Sequence, residues 1–176
     1  MSLQDDRKEY LNGELGDESL SANPREMFLA WLEEYRLLGN SDSTAFALST
    51  VSKDGTPDSR IVLLKEIRDE GFVFYTNFNS KKGQELKVNQ KASMCFHWKS
   101  LRRQVRILGK VEEVTTKEAD DYYNSRPYKN RISAWASSQS QILEKREIFL
   151  NKIQEYEKKY SDEAMMEIDN LLKLFN

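Results

Sequence analysis

The side chains best placed to do chemistry in this sequence are cations set inside segments that otherwise have the character of sheet. Arg60-Ile61-Val62-Leu63-Leu64-Lys65 and Arg102-Arg103-Gln104-Val105-Arg106 both mix apolar residues with guanidinium or ammonium groups. Between them lies Tyr75-Thr76-Asn77-Phe78-Asn79-Ser80-Lys81-Lys82. Burying an unpaired charge is costly, so sheet interiors normally exclude such groups. Several of them converging on one sheet predict a bound anion, with a phosphate as the leading candidate. Lys81 and Lys82 follow Ser80 at an expected helix start, where free backbone N–H groups and the helix dipole favour a phosphate. For any single cation the alternative is an alkyl stem lying along the sheet with its charge in water.

The elements that must carry these residues follow from periodicity. Residues 1–22 are polar and irregular and are expected to form an N-terminal arm. Asn23-Pro24 supplies a capping side chain and a first-turn proline. Phe28, Trp31, Leu32, Tyr35 and Leu38 then recur at helical spacing up to Gly39-Asn40. From Ala45 the period changes to that of strands, expected near 45–51, 59–67, 71–77, 91–98 and 102–114, with Lys53-Asp54-Gly55-Thr56-Pro57 as a tight turn. Ser80 caps a short helix over 81–88, and Thr115 with Glu118 has capping-box spacing. Helices are expected near 116–124, 129–136 and 142–160. Short connections between strands point to an antiparallel barrel or strongly curved sheet rather than a doubly wound fold. Alternation then puts Arg60, Val62 and Leu64 on one face of their strand, and Arg102, Gln104 and Arg106 together on one face of theirs.

Composition narrows the function classes. A chain of 176 residues holds one domain with a real core. A net charge of −2 disfavours a general nucleic-acid binder, so the cations matter by clustering alone. No apolar stretch approaches the roughly 20 residues needed to cross a bilayer. Met1-Ser2-Leu3-Gln4-Asp5-Asp6 has no signal-peptide pattern, so a cytoplasmic location is expected. Cys95 is the single cysteine, which leaves no intrachain disulfide. His97, the only histidine, lies in Met94-Cys95-Phe96-His97-Trp98 and is read as structural rather than catalytic, with Cys95, Trp98 and Trp135 read as packing. No metal-ligand pattern includes Glu112-Glu113 or Asp120-Asp121.

At the level of motifs, the chain resembles the pyridoxine/pyridoxamine 5′-phosphate oxidase family, FMN-dependent enzymes that complete pyridoxal 5′-phosphate synthesis. The resemblance runs from about Arg7 to about Tyr160. Arg60 to Lys65, Phe74-Tyr75-Thr76-Asn77, Ser80-Lys81-Lys82, Arg103-Gln104-Val105, Ser125-Arg126-Pro127 and Ala134-Trp135-Ala136-Ser137-Ser138-Gln139-Ser140 carry it, in the family's order and spacing. It implies a mainly β fold with flanking helices, an FMN-binding split β-barrel spanning 23–160. It also implies that Arg60, Ile61, Val62, Leu63, Leu64 and Lys65 line FMN, with Arg60 on the phosphate. Tyr75 and Thr76 would touch the flavin, Lys81 and Lys82 its phosphate end, and Gln104 its ring system. Gln139 and Ser140 would reach the flavin of a second subunit, implying a homodimer with shared sites. Lys65, Tyr122, Arg126 and Asn130 would hold the phosphate of pyridoxine or pyridoxamine 5′-phosphate. Asn130 stands where the family commonly has serine, and an amide also donates to a phosphate. Arg7 and Tyr10 resemble an N-terminal lid pair.

The implied activity is oxidation of the phosphorylated vitamin with oxygen as acceptor and hydrogen peroxide as product. The family pattern further includes a Trp-Gly-Gly strand, a Phe-Trp-Gln-Gly strand and an Arg-Leu-His-Asp-Arg motif, and residues 161–176 contain none of them. Met165, Ile168, Leu172 and Phe175 instead fall on one face of an expected amphipathic helix over 161–176. The alternative function is therefore a flavin- or pyridoxal-phosphate-binding protein without oxidase turnover.

Overall fold

Alternating side chains make the strands, and the inward set makes the core. In β1 (Ala45–Val51) Phe46, Leu48 and Thr50 are buried, while Ala45, Ala47 and Ser49 face outward. In β4 (Lys91–Trp98) Met94, Phe96 and Trp98 point inward, and Cys95 and His97 point out. With β2 (Pro57–Arg68), β3 (Gly71–Asn77), β5 (Arg103–Glu112) and β6 (Leu171–Phe175), these strands form a closed antiparallel barrel in the order β1-β2-β3-β6-β5-β4. This computed structural model describes residues 15–16, 20–39, 41–160 and 171–175, the last five through their backbone alone.

The β1–β2 connection is tight because Gly55 adopts φ +87°, a region that favours glycine, while Ser52 N donates to Thr56 O at 3.0 Å. Between β2 and β3 the register shifts from Leu64↔Phe74 to Glu66↔Val73, leaving Lys65 as the extra residue of a β-bulge. Helix α1 (Pro24–Leu37) is capped by Asn23, whose side chain accepts from Arg25 N at 3.0 Å. It buries Phe28 and Leu32 in the barrel core, with the Phe28 ring centroid 5.1 Å from Phe72, 5.0 Å from Phe96 and 5.4 Å from Trp98. Each such side chain contributes roughly 1.5–3 kcal/mol by leaving water. Trp98 keeps its indole N–H satisfied on Ser43 O at 3.2 Å.

Helix α2 (Lys81–Val88) links β3 to β4 and sends Leu86 into the same core. Three further helices, α3 (Thr116–Asn124), α4 (Tyr128–Ala136) and α5 (Arg146–Lys159), pack around Tyr123 and Ile132 as a second apolar cluster. Tyr123 Oη donates to Arg131 O and Tyr128 Oη to Tyr160 O, both at 2.7 Å. The expected capping box forms: Thr115 Oγ1 accepts from Glu118 N, and Glu118 Oε2 accepts from Thr115 N at 2.8 Å. Glu118 also pairs with Arg68 of β2 at 2.6 Å, which ties α3 to the barrel.

The five strands and first five helices expected from the sequence all form, with small shifts at their ends. The strand expected from 102 starts at Arg103 because Arg102 ends a short 3-10 turn with φ +53°. The last of these helices starts at Arg146 rather than 142. At 171–175 the expected amphipathic helix is corrected to strand β6, paired with β3 (Phe72↔Phe175, Val73↔Leu174) and with β5 (Val111↔Phe175, Glu112↔Leu174). Short apolar runs are ambiguous between helix and strand, and open sheet edges on β3 and β5 decide in favour of pairing. Residues 161–170 and the arm with Arg7 and Tyr10 lie outside the described residues. His97, read as structural, is exposed on the outer barrel face.

Two outcomes test this arrangement. Deleting 171–176 should leave the β3 and β5 edges open, lowering the melting temperature and producing concentration-dependent association in sedimentation. Glu118 is held near pKa about 2, first by the Thr115 hydroxyl, then the Thr115 N–H, then Arg68. A depressed carboxyl contributes stability that is present above about pH 4.5 and lost as pH falls toward about 2. Because Glu118 is 35% exposed, screening limits the effect. Urea unfolding should show Glu118→Gln less stable by about 0.5 kcal/mol at pH 7, with the gap closing at pH 2.5.

Candidate functional site

An open cleft of about 1510 Å³ lies where β2, β3 and the start of α2 face α3, α4 and the loop after α4. Its cationic end is built by the first turn of α2. Ser80 caps that turn, its Oγ accepting from Gly83 N, and its own N donating to Asn77 O at 3.1 Å. A Cβ at Gly83 would lie 2.5 Å from Phe78 O and 2.6 Å from Asn77 O, so only glycine lets the helix start this close to the preceding turn. The close approach sets Lys81 and Lys82 at the cleft.

Lys82 is 8% exposed and donates to Ser80 Oγ at 3.3 Å and Gln139 Oε1 at 3.0 Å. Both acceptors are neutral, and among the described residues no carboxylate pairs with this ammonium. Burial, with the Arg60 charge nearby, lowers its pKa from the ordinary lysine value. Arg60 is bonded on both terminal nitrogens: Nη1 to Leu48 O at 3.2 Å and Thr50 Oγ1 at 2.5 Å, Nη2 to Asp58 at 3.0 Å and Glu85 at 3.3 Å. Lys81 pairs with Asp58 at 2.8 Å.

The other end of the cleft is aromatic. Tyr75 of β3 and Tyr122 of α3 stack with ring centroids 3.5 Å apart and planes 4° from parallel. Burial raises the pKa of both phenols above the ordinary tyrosine value, so both are neutral donors at physiological pH. Thr76 is 6% exposed, and its buried Oγ1 has no hydrogen-bond partner among the described residues. Trp135 Nε1 is buried in the same state. Arg126 follows the end of α3, its guanidinium 5.8 Å from the Tyr123 ring, and Asn130 sits in the first turn of α4. Ser140 holds φ +65°, a left-handed conformation uncommon outside glycine.

Comparison with known proteins agrees with this geometry. Residues 32–160 match the family described as pyridoxamine 5'-phosphate oxidase. The chain belongs to this family. A pyridoxine/pyridoxamine 5'-phosphate oxidase of Pelagibacter ubique is 54% identical over 140 residues, covering 80% of this chain and 67% of that one. Its counterpart from Brucella canis is 52% identical over 145 residues, covering 82% and 71%. Among solved structures, PhzG from Burkholderia lata 383, in complex with tetrahydrophenazine-1-carboxylic acid, superposes with a TM-score of 0.83 at 25% identity, over 92% of this chain and 80% of that one. A pyridoxamine 5'-phosphate oxidase-related, FMN binding protein from Nostoc punctiforme shares the fold with a TM-score of 0.68 at 15% identity, over 88% and 82%.

Of the family's site residues read from the sequence, every one within the described residues lines the cleft except two. Leu64 is 4% exposed and packs in the barrel core. Gln104 stands exposed on the outer face of β5, opposite His97, away from this cleft. Gln139 and Ser140, expected at a second subunit's flavin, line the cleft of their own chain, with Gln139 on Lys82. The second basic segment does not join the first: Arg103 pairs with Glu34 and lies 4.7 Å over the Trp31 ring, and Arg106 is on the outer face. Other residues line the cleft as well, among them Trp135, expected to serve packing alone, and Asp58, which alternation puts on the Arg60 face. Among the described residues no group of histidine, cysteine and acidic side chains could hold a metal ion, and no helix is long and apolar enough to cross a membrane.

Gly83→Ala should push α2 off the Asn77–Phe78 carbonyls, with a cost of about 1–3 kcal/mol in chemical denaturation. The same change should weaken phosphate-ligand binding by moving Lys81 and Lys82.

Proposed function

We propose that this chain is a cytoplasmic, FMN-dependent oxidase that converts pyridoxine 5′-phosphate or pyridoxamine 5′-phosphate to pyridoxal 5′-phosphate, with oxygen as acceptor and hydrogen peroxide as product. The observation that carries this reading is Lys82, a buried ammonium bonded only to neutral oxygens at the cationic end of the cleft. A buried charge of that kind calls for an anion, and a phosphate monoester answers it. The orphaned Thr76 hydroxyl supports a polar ring system beside it, since a buried donor without a partner costs about 1–3 kcal/mol.

The residues divide into two groups. Lys81, Lys82 and Arg60 would hold the flavin phosphate, and Tyr75 and Thr76 would touch the ring, placed by β3. Lys65 on its bulge, Tyr122, Arg126 and Asn130 would hold the substrate phosphate. Tyr122 and Arg126 are four residues apart, so one anion is within reach of both. When bound, FMN, held by Lys81, Lys82 and Arg60, would supply the two-electron oxidation at the 4′ carbon with oxygen as acceptor, and an amine substrate would consume water and release ammonia. The protein then needs no nucleophile: its task is to hold two phosphates and keep both ring systems in register.

A homodimer fits the outer face of the barrel, where Ile61, Leu63 and Leu108 are 69%, 40% and 78% exposed. Gln104 stands on that face, so in such a dimer it would serve the cleft of the second copy.

Anaerobic reduction distinguishes the readings. The protein is loaded with FMN, freed of excess flavin and mixed with pyridoxine 5′-phosphate while visible absorbance is followed. Bleaching that reverses on admitting air is expected. A flavin that stays oxidised would favour the alternative, a flavin-binding protein without turnover. Failure to retain FMN would sink both.

A further inference from the structure

The cationic end of the cleft already faces an anion of the protein's own. Asp58 lies on β2 two residues before Arg60, so both side chains project from the same strand face. Its Oδ2 meets Arg60 Nη2 at 3.0 Å and Lys81 Nζ at 2.8 Å. Its Oδ1 accepts from Ser59 N at 2.8 Å. One oxygen shared between a guanidinium and an ammonium reproduces the contacts that a phosphate oxygen makes in such a setting. The cations so engaged are two of the three assigned above to the flavin phosphate.

Two carboxylates meet these cations, and exposure separates them. Glu85 is 5% exposed and accepts from Thr50 Oγ1 at 2.5 Å as well as from Arg60. Moving it would strand a buried charge. Asp58 is 35% exposed and Lys81 58%, so water can replace each partner and the pair is weakly held. The Lys81 hydrogen bond, with the Arg60 charge behind it, keeps the Asp58 carboxyl below the usual aspartate range, so it is ionised at neutral pH. A phosphate monoester carries about −1.5 to −2 charges there, against the single charge of a carboxylate.

We infer that Asp58 is a displaceable internal occupant of the anion site, which a phosphate monoester must push off Arg60 and Lys81, so that Asp58 weakens and tunes the hold on phosphorylated ligands. Left beside the phosphate, its like charge acts in the same direction. The identity of the ligand as FMN rests on the reading above; the competition itself depends only on the three side chains.

The test compares full-length wild type with Asp58→Asn, which keeps the Oδ1 acceptor for Ser59 N and removes the charge. Flavin fluorescence titrations with FMN and with riboflavin separate the phosphate from the ring. Asp58→Asn should tighten FMN about 1.5-fold to fivefold, the scale of a screened charge pair, and leave riboflavin unchanged. Equal or weaker FMN binding, or the same gain for riboflavin, overturns the inference. If neither protein binds flavin, the FMN reading fails separately, and thermal unfolding with inorganic phosphate decides. A larger phosphate-induced rise in melting temperature for Asp58→Asn sustains the competition, and equal rises refute it. A variant that cannot fold would make Asp58 a structural clamp, which also refutes it.

Discussion

A carboxylate sealed inside the protein governs how the cleft is assembled. Glu85 projects from α2 into the space between β1 and β2, where Thr50 and Arg60 meet one of its oxygens. Its other oxygen makes no hydrogen bond among the described residues and lies 3.9 Å from Lys81 Nζ. Taking a carboxylate out of water costs several kcal/mol, and removing one partner of a buried pair costs about 3–5 kcal/mol. The pairing is therefore specific about position: α2 must sit where Glu85 reaches Arg60. That position also sets the first turn of α2, and with it Lys81 and Lys82, against the end of β3.

From this constraint the two ends of the cleft acquire different characters. At the cationic end, backbone fit at Gly83, the Ser80 cap and the Glu85 pair leave little freedom, so the charges are in place before any ligand arrives. Lys82 is the extreme case, since its ammonium has given up water for two neutral oxygens. At the aromatic end, groups come from separate elements, Tyr75 from the barrel and Tyr122 from α3. Their relation depends on how α3 docks, and the Arg68–Glu118 pair is the polar link between that helix and β2. A cofactor-dependent oxidation needs this kind of division, a rigid anchor for one phosphate beside a second set of donors.

Away from the cleft the barrel follows another logic. Arg103 finds Glu34 and the Trp31 ring, so its charge serves the packing of α1 rather than the cleft. Ile61, Leu63 and Leu108 face outward from the same strands that bury Leu64 and Val111. One sheet thus offers a packed inner side, an apolar outer side and, at one end of β2 and β3, the cleft. Asp58 belongs to the cleft because it shares the inward alternation of Arg60.

Much of this was legible in the sequence. Period-two patterning located five strands, helical spacing and caps located the flanking helices, and the Ser80-Lys81-Lys82 start was placed correctly because an N-cap is a local interaction. The convergence of Arg60, Lys65, Lys81, Lys82, Tyr122 and Arg126 on one cleft followed from the family's motifs, and the structure brings these residues together. Tertiary structure alone decided the rest, because it depended on which partners lie across space. Arg103 and Gln104 belong to one of the family's motifs yet lie away from the cleft, since the partner of Arg103 is on α1 and the pleat of β5 turns Gln104 outward. Leu171 to Phe175 became a strand because β3 and β5 offer open edges, which no local pattern encodes. The pairing of Arg60 with Asp58 and Glu85 depends on residues 2 and 25 positions away (58 and 85 against 60). Only the folded chain shows that the cations of the cleft are already shared with carboxylates of its own.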